Sequence, residues 1–287
     1  MWIADKWEDY EIIDTSLGEK LERWGKYTLV RPDPQVIWNT EKKNPLWRRA
    51  DASYKRSSSG GGSWQDNKLP ESWTLAYRDL TFLIKPMGFK HTGIFPEQAA
   101  NWDFCRDLIE KAGRPIKVLN LFAYTGGATV ACAKAGASVC HVDASRGMVA
   151  TAKENARLSG LQDAPIRYIV DDCKKFIERE IRRGNFYDGI IMDPPSYGRG
   201  PTGEVWKIEE SIDAFVELTS KVLSKNPLFF LLNSYTTGLS ASTMKYITDT
   251  RLLSKYPGKS RAEELGLPVK ESGLALPCGS TVRVVFD

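Results

Sequence analysis

The chain has 287 residues, 42% apolar and 26% charged, with a formal net charge of +4. That mass suits one large domain, or a catalytic domain with a smaller companion, and so small a charge leaves any attraction to polyanions to local patches. Five scattered cysteines (Cys105, Cys132, Cys140, Cys173, Cys278) without metal-ligand spacing read as reduced thiols, the acidic start lacks a signal peptide, and no run is long enough to span a bilayer, so a cytosolic protein is expected.

Residues 1–100 differ in texture from the rest. Seven of the nine tryptophans lie there: Trp2, Trp7, Trp24, Trp38, Trp47, Trp64 and Trp73. Short β-prone pieces at 10–14, 27–31, 36–39, 73–77 and 80–85 alternate with turn formers such as Pro32-Asp33-Pro34 and Asn44-Pro45. This pattern predicts a small β-rich domain built from hairpins. Over 42–56 the cations Lys42, Lys43, Arg48, Arg49, Lys55 and Arg56 interleave with Trp47 and Tyr54. Two readings stand. The segment contacts nucleic acid, with cations on phosphates and aromatics on unpaired bases, or the tryptophans fill the domain core beneath a solvated charge run. The run SSSGGGS at 57–63 predicts a mobile linker. The segment HTGIFPEQ at 91–98 leads into a helix expected over 97–112 and can lie over a ligand pocket; His91 reads as structural.

Residues 117–143 organise the second part. An apolar run at 118–121 reads as a buried strand, Tyr124-Thr125-Gly126-Gly127 breaks it, and 128–135 is rich in small helix formers. A second strand at 138–142 ends on Asp143. Strand, glycine turn, helix, strand and terminal acid form a nucleoside-binding half of a doubly wound sheet. Glycines admit a ligand close to the backbone, and the acid accepts hydrogen bonds from ribose hydroxyls. The turn lacks G-x-G-x-x-G, so it offers fewer close amides than a pyrophosphate needs.

Further on, Ser145 N-caps a helix over 145–159 that stops at Gly160. Strand 166–170 ends at Asp171-Asp172, a helix over 173–183 stops at Gly184, and strand 187–192 opens onto Asp193-Pro194-Pro195-Ser196-Tyr197-Gly198. A loop with Gly200, Pro201 and Gly203 precedes a helix over 205–223. Strand 228–232 ends at Asn233-Ser234-Tyr235-Thr236-Thr237, and a helix covers 241–254. The pieces 272–276 and 281–286 read as a closing hairpin across Pro277-Cys278-Gly279. Such alternation gives a parallel α/β sheet with right-handed crossovers. Acids follow three successive strands on its ligand-binding edge, where Asp143 suits a ribose, Asp172 an adenine amino group and Asp193 the reacting group.

Through NLFAYTGG at 120–127, HVDAS at 141–145, AKENARLSG at 152–160, VDDC at 170–173 and MDPPSYG at 192–198, the chain over 118–287 resembles class I S-adenosylmethionine-dependent methyltransferases. More narrowly it is similar to bacterial 23S ribosomal RNA methyltransferases of the cytosine-C5 or guanine-N7 type, which carry a loop like 92–98 and a small β-rich domain ahead of the catalytic one. The resemblance implies a Rossmann-like sheet of seven strands with the last antiparallel, S-adenosylmethionine as cofactor and RNA as partner. It implies a Trp-rich substrate-binding domain over 1–100 and a methyltransferase domain over 101–287. Cofactor contacts are expected from Phe95, Gln98, Phe122, Tyr124, Thr125, Gly126, Gly127, Asp143, Ala144, Ser145, Asn155, Asp171, Asp172 and Asp193. The catalytic turn is Asp193, Pro194, Pro195, Ser196 and Tyr197, without a metal.

One departure bears on the chemistry. Cytosine-C5 enzymes of this kind add a thiolate to the ring, carried after the fifth strand, yet 233–237 holds no cysteine and Cys173 and Cys278 lie elsewhere. A base nitrogen already owns the attacking lone pair, so the expected reaction is methylation of a base nitrogen in RNA, with ribosomal RNA favoured. Asp193 and the Pro194 carbonyl would orient a flipped base and Tyr197 would stack on it. Protein or small-molecule methylation and a non-catalytic RNA-binding module remain alternatives. The missing dinucleotide fingerprint sets a nicotinamide dehydrogenase aside.

Overall fold

The structure, a computed structural model, describes residues 1–57, 61–88, 91–199, 205–236 and 238–287. The middle of the run expected to be mobile, the loop with Gly200, Pro201 and Gly203, and Thr237 lie outside the described residues. The chain divides into two compact units: Trp2–Ala99 with Gly266–Cys278, and Ala100–Leu265 with Gly279–Asp287, to which Met1 also belongs.

In the first unit, strands Tyr10–Ser16, Glu19–Trp24, Tyr27–Pro32, Ala52–Arg56 and Gly62–Gln65 follow one another across a five-stranded sheet. Trp73–Tyr77 and Leu80–Ile84 form a separate hairpin. Leu17 and Gly18, both at positive φ, make the tight turn of the first hairpin, a conformation matched to strand twist. Leu21, Trp24, Leu29, Leu75, Leu80, Phe82 and Ile84 are fully buried, each such side chain contributing about 1.5–3 kcal/mol. Three expectations fail here. The run 57–63 is not linker throughout, since Gly62 and Ser63 pair with Arg56 and Lys55. The piece 36–39 is not a strand; its carbonyls serve the turn instead, with Val36 and Trp38 accepting from the Gly18 and Leu17 amides. Conversely, Glu19–Trp24 is a strand that its charges concealed. Its Leu21 and Trp24 turn into the core, and Glu22 is buried with ion partners.

The second unit begins with α1 (Ala99–Lys111) and continues as β1 (Lys117–Leu121), α2 (Gly127–Lys134), β2 (Ser138–Asp143), α3 (Arg146–Leu158), β3 (Ile166–Val170) and α4 (Cys173–Arg183). There follow β4 (Gly189–Met192), α5 (Ile208–Ser220), β5 (Phe229–Ser234), α6 (Ala241–Thr248), β6 (Gly258–Pro268) and β7 (Ala275–Phe286), of which residues 266–268 and 275–278 count with the first unit. The sheet order is β6-β7-β5-β4-β1-β2-β3. β4, β1, β2 and β3 pair in parallel, as do β4 and β5, whereas β7 runs antiparallel to β5. The two faces are told apart by the period-2 alternation of strands. Leu119, Ile190 and Phe230 meet α4, α5 and α6 on one side, while Val118, Ile191 and Phe229 meet α1 and α2 on the other. Apolar residues on both faces are why these strands read as continuous runs.

Two boundaries differ from expectation. Val205–Lys207 is a short strand paired with Tyr197–Arg199, and the helix starts only at Ile208. The closing hairpin is longer and turns elsewhere. Pro277-Cys278-Gly279 lies inside β7, and the reversal sits at 269–274, where Gly273 at positive φ donates to the Val269 carbonyl. Proline and glycine here mark a strand irregularity instead of a turn.

Candidate active site

The acids read from the sequence gather because β4, β1, β2 and β3 are adjacent and parallel, so their C-terminal ends share one edge. Asp143 is the last residue of β2, Asp171 and Asp172 follow β3, and Asp193 follows β4. Open α/β sheets bind ligands at this edge.

The turn between β1 and α2 is held under strain. Phe122 and Tyr124 both adopt positive φ (55° and 49°) although neither is glycine, which costs on the order of 1–3 kcal/mol each. Their surroundings secure them. The Tyr124 amide donates to Asp143 Oδ2 at 2.8 Å, and the Ser145 amide donates to Asp143 Oδ1 at 2.8 Å. Burial pushes the Asp143 carboxyl up, and these two amides pull it back. From behind, the buried Asn155 Nδ2 donates to the Thr125 carbonyl at 2.8 Å. The paired glycines are needed by packing: a Cβ on Gly126 would sit 2.8 Å from that of Ala152, and one on Gly127 would sit 2.5 Å from the Trp102 ring.

A second polar layer lies under this turn, and sequence reasoning missed it. Asn120 Nδ2 donates to Thr129 Oγ1 at 2.9 Å, and the same hydroxyl is hydrogen-bonded to His141 Nδ1, also at 2.9 Å. His141 is fully buried, and desolvation lowers it to about 4, so its imidazole stays neutral. The signal was present: Asn120 and His141 are the polar residues inside otherwise apolar strands, Val-Leu-Asn-Leu and Val-Cys-His-Val.

Asp172 caps α4, its side chain accepting from the Lys175 amide at 2.9 Å. Asp171 pairs with Arg179 and accepts from the Asp172 amide. Ser145 caps α3 as expected, and Ala144 beside it is exposed. The Phe122 ring packs on Trp206 and Phe215, with centroids 5.6 Å away in each case.

The turn after β4 is pinned on several sides. Asn233 Nδ2 donates to Asp193 Oδ1 at 2.8 Å, and Trp206 Nε1 donates to the Pro195 carbonyl at 2.6 Å. Ser196 Oγ lies 2.6 Å from Thr236 Oγ1, and the Ser196 carbonyl accepts from the Ile208 amide. Tyr197 is half exposed. Asn233, Thr236 and Trp206 were not foreseen as partners. Phe95 and Gln98 belong to the other unit, where Gln98 closes the 3-10 turn Pro96–Gln98.

With this geometry in view, the profile of the S-adenosylmethionine-dependent methyltransferases matches residues 46–209, more than half of the chain. The chain belongs to this family. It is an enzyme, and its cofactor is S-adenosylmethionine. A solved S-adenosylmethionine-dependent methyltransferase from Agrobacterium tumefaciens is similar at 37% identity and a TM-score of 0.92, over 99% of this chain and 93% of that one. The chain is also similar to curated ribosomal RNA large subunit methyltransferases K/L. That of Shewanella baltica (strain OS155) is 35% identical over 133 residues, 46% of this chain and 17% of the relative. That of Shewanella sp. (strain W3-18-1) is 32% identical over 190 residues, 61% of this chain and 25% of the relative. The chain thus spans a quarter or less of these curated relatives.

The methyltransferase's own residues fit the cofactor. A carboxylate has about four acceptor positions, and the Tyr124 and Ser145 amides take one on each oxygen of Asp143, leaving lone pairs for ribose hydroxyls. When bound, the cofactor supplies an electrophilic methyl group on a sulfonium.

Proposed function

We propose that the methyltransferase methylates a base nitrogen in RNA, ribosomal RNA being the favoured substrate, and that it works in the cytoplasm. The observation that carries the target atom is the end of β5. Asn233 there holds the Asp193 carboxylate, and Asn233-Ser234-Tyr235-Thr236 presents no thiol. All five cysteines are buried. Burial pushes Cys173 and Cys278 well up and Cys140 up to about 11, so none of these three is a ready thiolate. A nitrogen nucleophile needs no covalent activation. The β4 turn would orient it, with Asp193 and the Pro194 carbonyl accepting from the base and Tyr197 stacking on it, while Asp143 and Asp172 hold the cofactor's ribose and adenine.

The RNA substrate is supported by the curated relatives' names and by the β-rich unit, which we assign to substrate binding. Its aromatics are engaged in structure, since the Trp47 indole donates to Asp14 and the Trp64 indole to the Met87 carbonyl. Lys42 and Lys43 pair with Glu19 and Glu41. Arg48, Arg49, Lys55 and Arg56 remain: all four are exposed, and among the described residues none has an ion partner. They are the cations suited to phosphate contact.

Mass spectrometry of RNA nucleosides from a deletion strain, with and without the restored protein, tests this reading. One N-methylated nucleoside should be lost and regained. Loss of 5-methylcytidine, or a cysteine adduct on 5-fluorocytidine RNA, overturns it.

A further inference from the structure

The Asp193 carboxylate stands at the end of a largely buried row of side chains that begins on β7, two strands away in the sheet. Arg283 on β7 donates through Nε and Nη2 to Asn101 Oδ1, at 3.1 and 3.0 Å. Asn101 Nδ2 donates to Thr281 Oγ1 at 3.2 Å, and Thr281 Oγ1 donates to Asn233 Oδ1 at 2.6 Å. Asn233 Nδ2 then donates to Asp193 Oδ1 at 2.8 Å. Asn101, Thr281 and Asn233 are 3%, 0% and 0% exposed, so water does not compete for these bonds. Strand pairing sets the spacing, because Asn233 and Thr281 are direct neighbours across β5 and β7.

The order of donors is forced. A guanidinium only donates, so Asn101 must turn its oxygen to Arg283 and its amide nitrogen to Thr281. Thr281, already accepting, has a single proton, and it goes to Asn233 Oδ1. That leaves the Asn233 amide nitrogen with no acceptor in the row except Asp193. Every link points the same way, and aligned hydrogen bonds polarise one another. Arg283 is itself well held: its Nη2 also donates to the Ala100 carbonyl, and its guanidinium lies 4.7 Å from the centre of the Phe104 ring. Burial lowers it to about 10, which still leaves it protonated at neutral pH.

We propose that Arg283, Asn101, Thr281 and Asn233 are positioning residues that hold Asp193 as an ionised, oriented acceptor, through a relay whose direction Arg283 sets. This rests on the assignment of Asp193 to the reacting turn. Asn233 contributes the terminal N–H, so the carboxylate cannot rotate away from the incoming base. A carboxylate fixed in this way accepts hydrogen bonds and accepts a proton; it does not deliver one. The reaction served is therefore one whose nucleophile carries N–H groups needing alignment.

The test uses the full chain with three variants. Thr281→Val removes the hydroxyl at constant shape, Thr281→Ser retains it, and Asn101→Asp keeps an ion pair with Arg283 while removing the donor to Thr281. The first readout is the Asn233 side-chain amide signal in 15N-labelled protein, assigned by its disappearance in Asn233→Ala. It should shift and lose exchange protection in Thr281→Val and Asn101→Asp, and hold in Thr281→Ser. The second is transfer of labelled methyl from S-adenosylmethionine to total RNA of a deletion strain. Here kcat should fall roughly 10- to 100-fold in Thr281→Val and Asn101→Asp, with KM for the cofactor unchanged, and Thr281→Ser should restore it. An unmoved Asn233 signal in Thr281→Val overturns the relay, as does equal loss of kcat and melting temperature in Thr281→Val and Thr281→Ser. If wild-type protein transfers nothing to RNA, the RNA reading fails, and the Asn233 signal still decides the relay.

Discussion

Each unit buries a polar network, and the two differ in where they end. In the β-rich unit, Glu22 accepts from Arg31 at 2.6 and 2.8 Å and from the Tyr10 hydroxyl at 2.7 Å, while Lys20 lies 3.5 Å away and also faces Asp33. This network closes on itself, cation against anion, under the Trp24 ring. In the α/β unit the row from Arg283 runs from β7 past β5 and emerges after β4 at Asp193, which is partly exposed at the strand edge. A closed network spends its charge on the fold. An open one delivers polarity to a carboxylate that solvent can reach. Cations of the 42–56 segment show the same division: Lys42 and Lys43 are paired, and among the described residues Arg48, Arg49, Lys55 and Arg56 have no ion partner.

The largest expected effect falls on the closed network. Glu22→Ala leaves Arg31 buried without its anion and should destabilise the protein by about 3–5 kcal/mol, read as urea unfolding. Burial alone would raise the Glu22 carboxyl, yet Arg31 and Lys20 carry it down to about 2. The folded value is depressed, so this stability is present above the ordinary value near 4.5 and disappears as pH falls towards 2. A Glu22→Gln protein that unfolds with the same acid profile as wild type would show the network to be idle.

Next comes the open end. Asp193→Ala should cut methyl transfer by roughly 100-fold or more, with the unfolding midpoint close to wild type. A large loss of stability with little loss of turnover would make Asp193 another closed-network residue and erase the contrast. Asp143→Ala should weaken binding of S-adenosylhomocysteine by about 1.5–3 kcal/mol in calorimetry, and unchanged affinity would remove Asp143 from the ribose. The smallest effect concerns the unpaired cations. Neutralising Arg48, Arg49, Lys55 and Arg56 together should flatten the salt dependence of RNA binding by up to about three units of slope, leaving cofactor affinity in place. Neutralising the paired Lys42 and Lys43 should change the slope less; equal changes would void the distinction.

Much of the α/β unit was legible because its signals are local. Apolar runs marked the parallel strands, Ser145, Gly160 and Gly184 marked helix ends within a residue or two, and the acids after strands share one edge of the sheet. The β-rich unit was harder, because Glu19–Trp24 hides two core residues among charges whose partners are distant in sequence. Local turn chemistry also misled at Pro277-Cys278-Gly279, where the continuous strand Ala275–Phe286 outweighs the propensity of proline and glycine to reverse the chain.

The sequence by itself determined the family, the α/β class, the cofactor and the acids along one strand edge, since each follows from residues close together in the chain. Only the tertiary structure decided what holds those acids. Asn101, Asn233, Thr281 and Arg283 look unrelated when read in order, as do Asn120, Thr129 and His141. They become two hydrogen-bonded rows once helix and strand residues up to 182 positions apart meet, because a hydrogen bond needs its partners about 3 Å apart and direction in such a row is set by its donors.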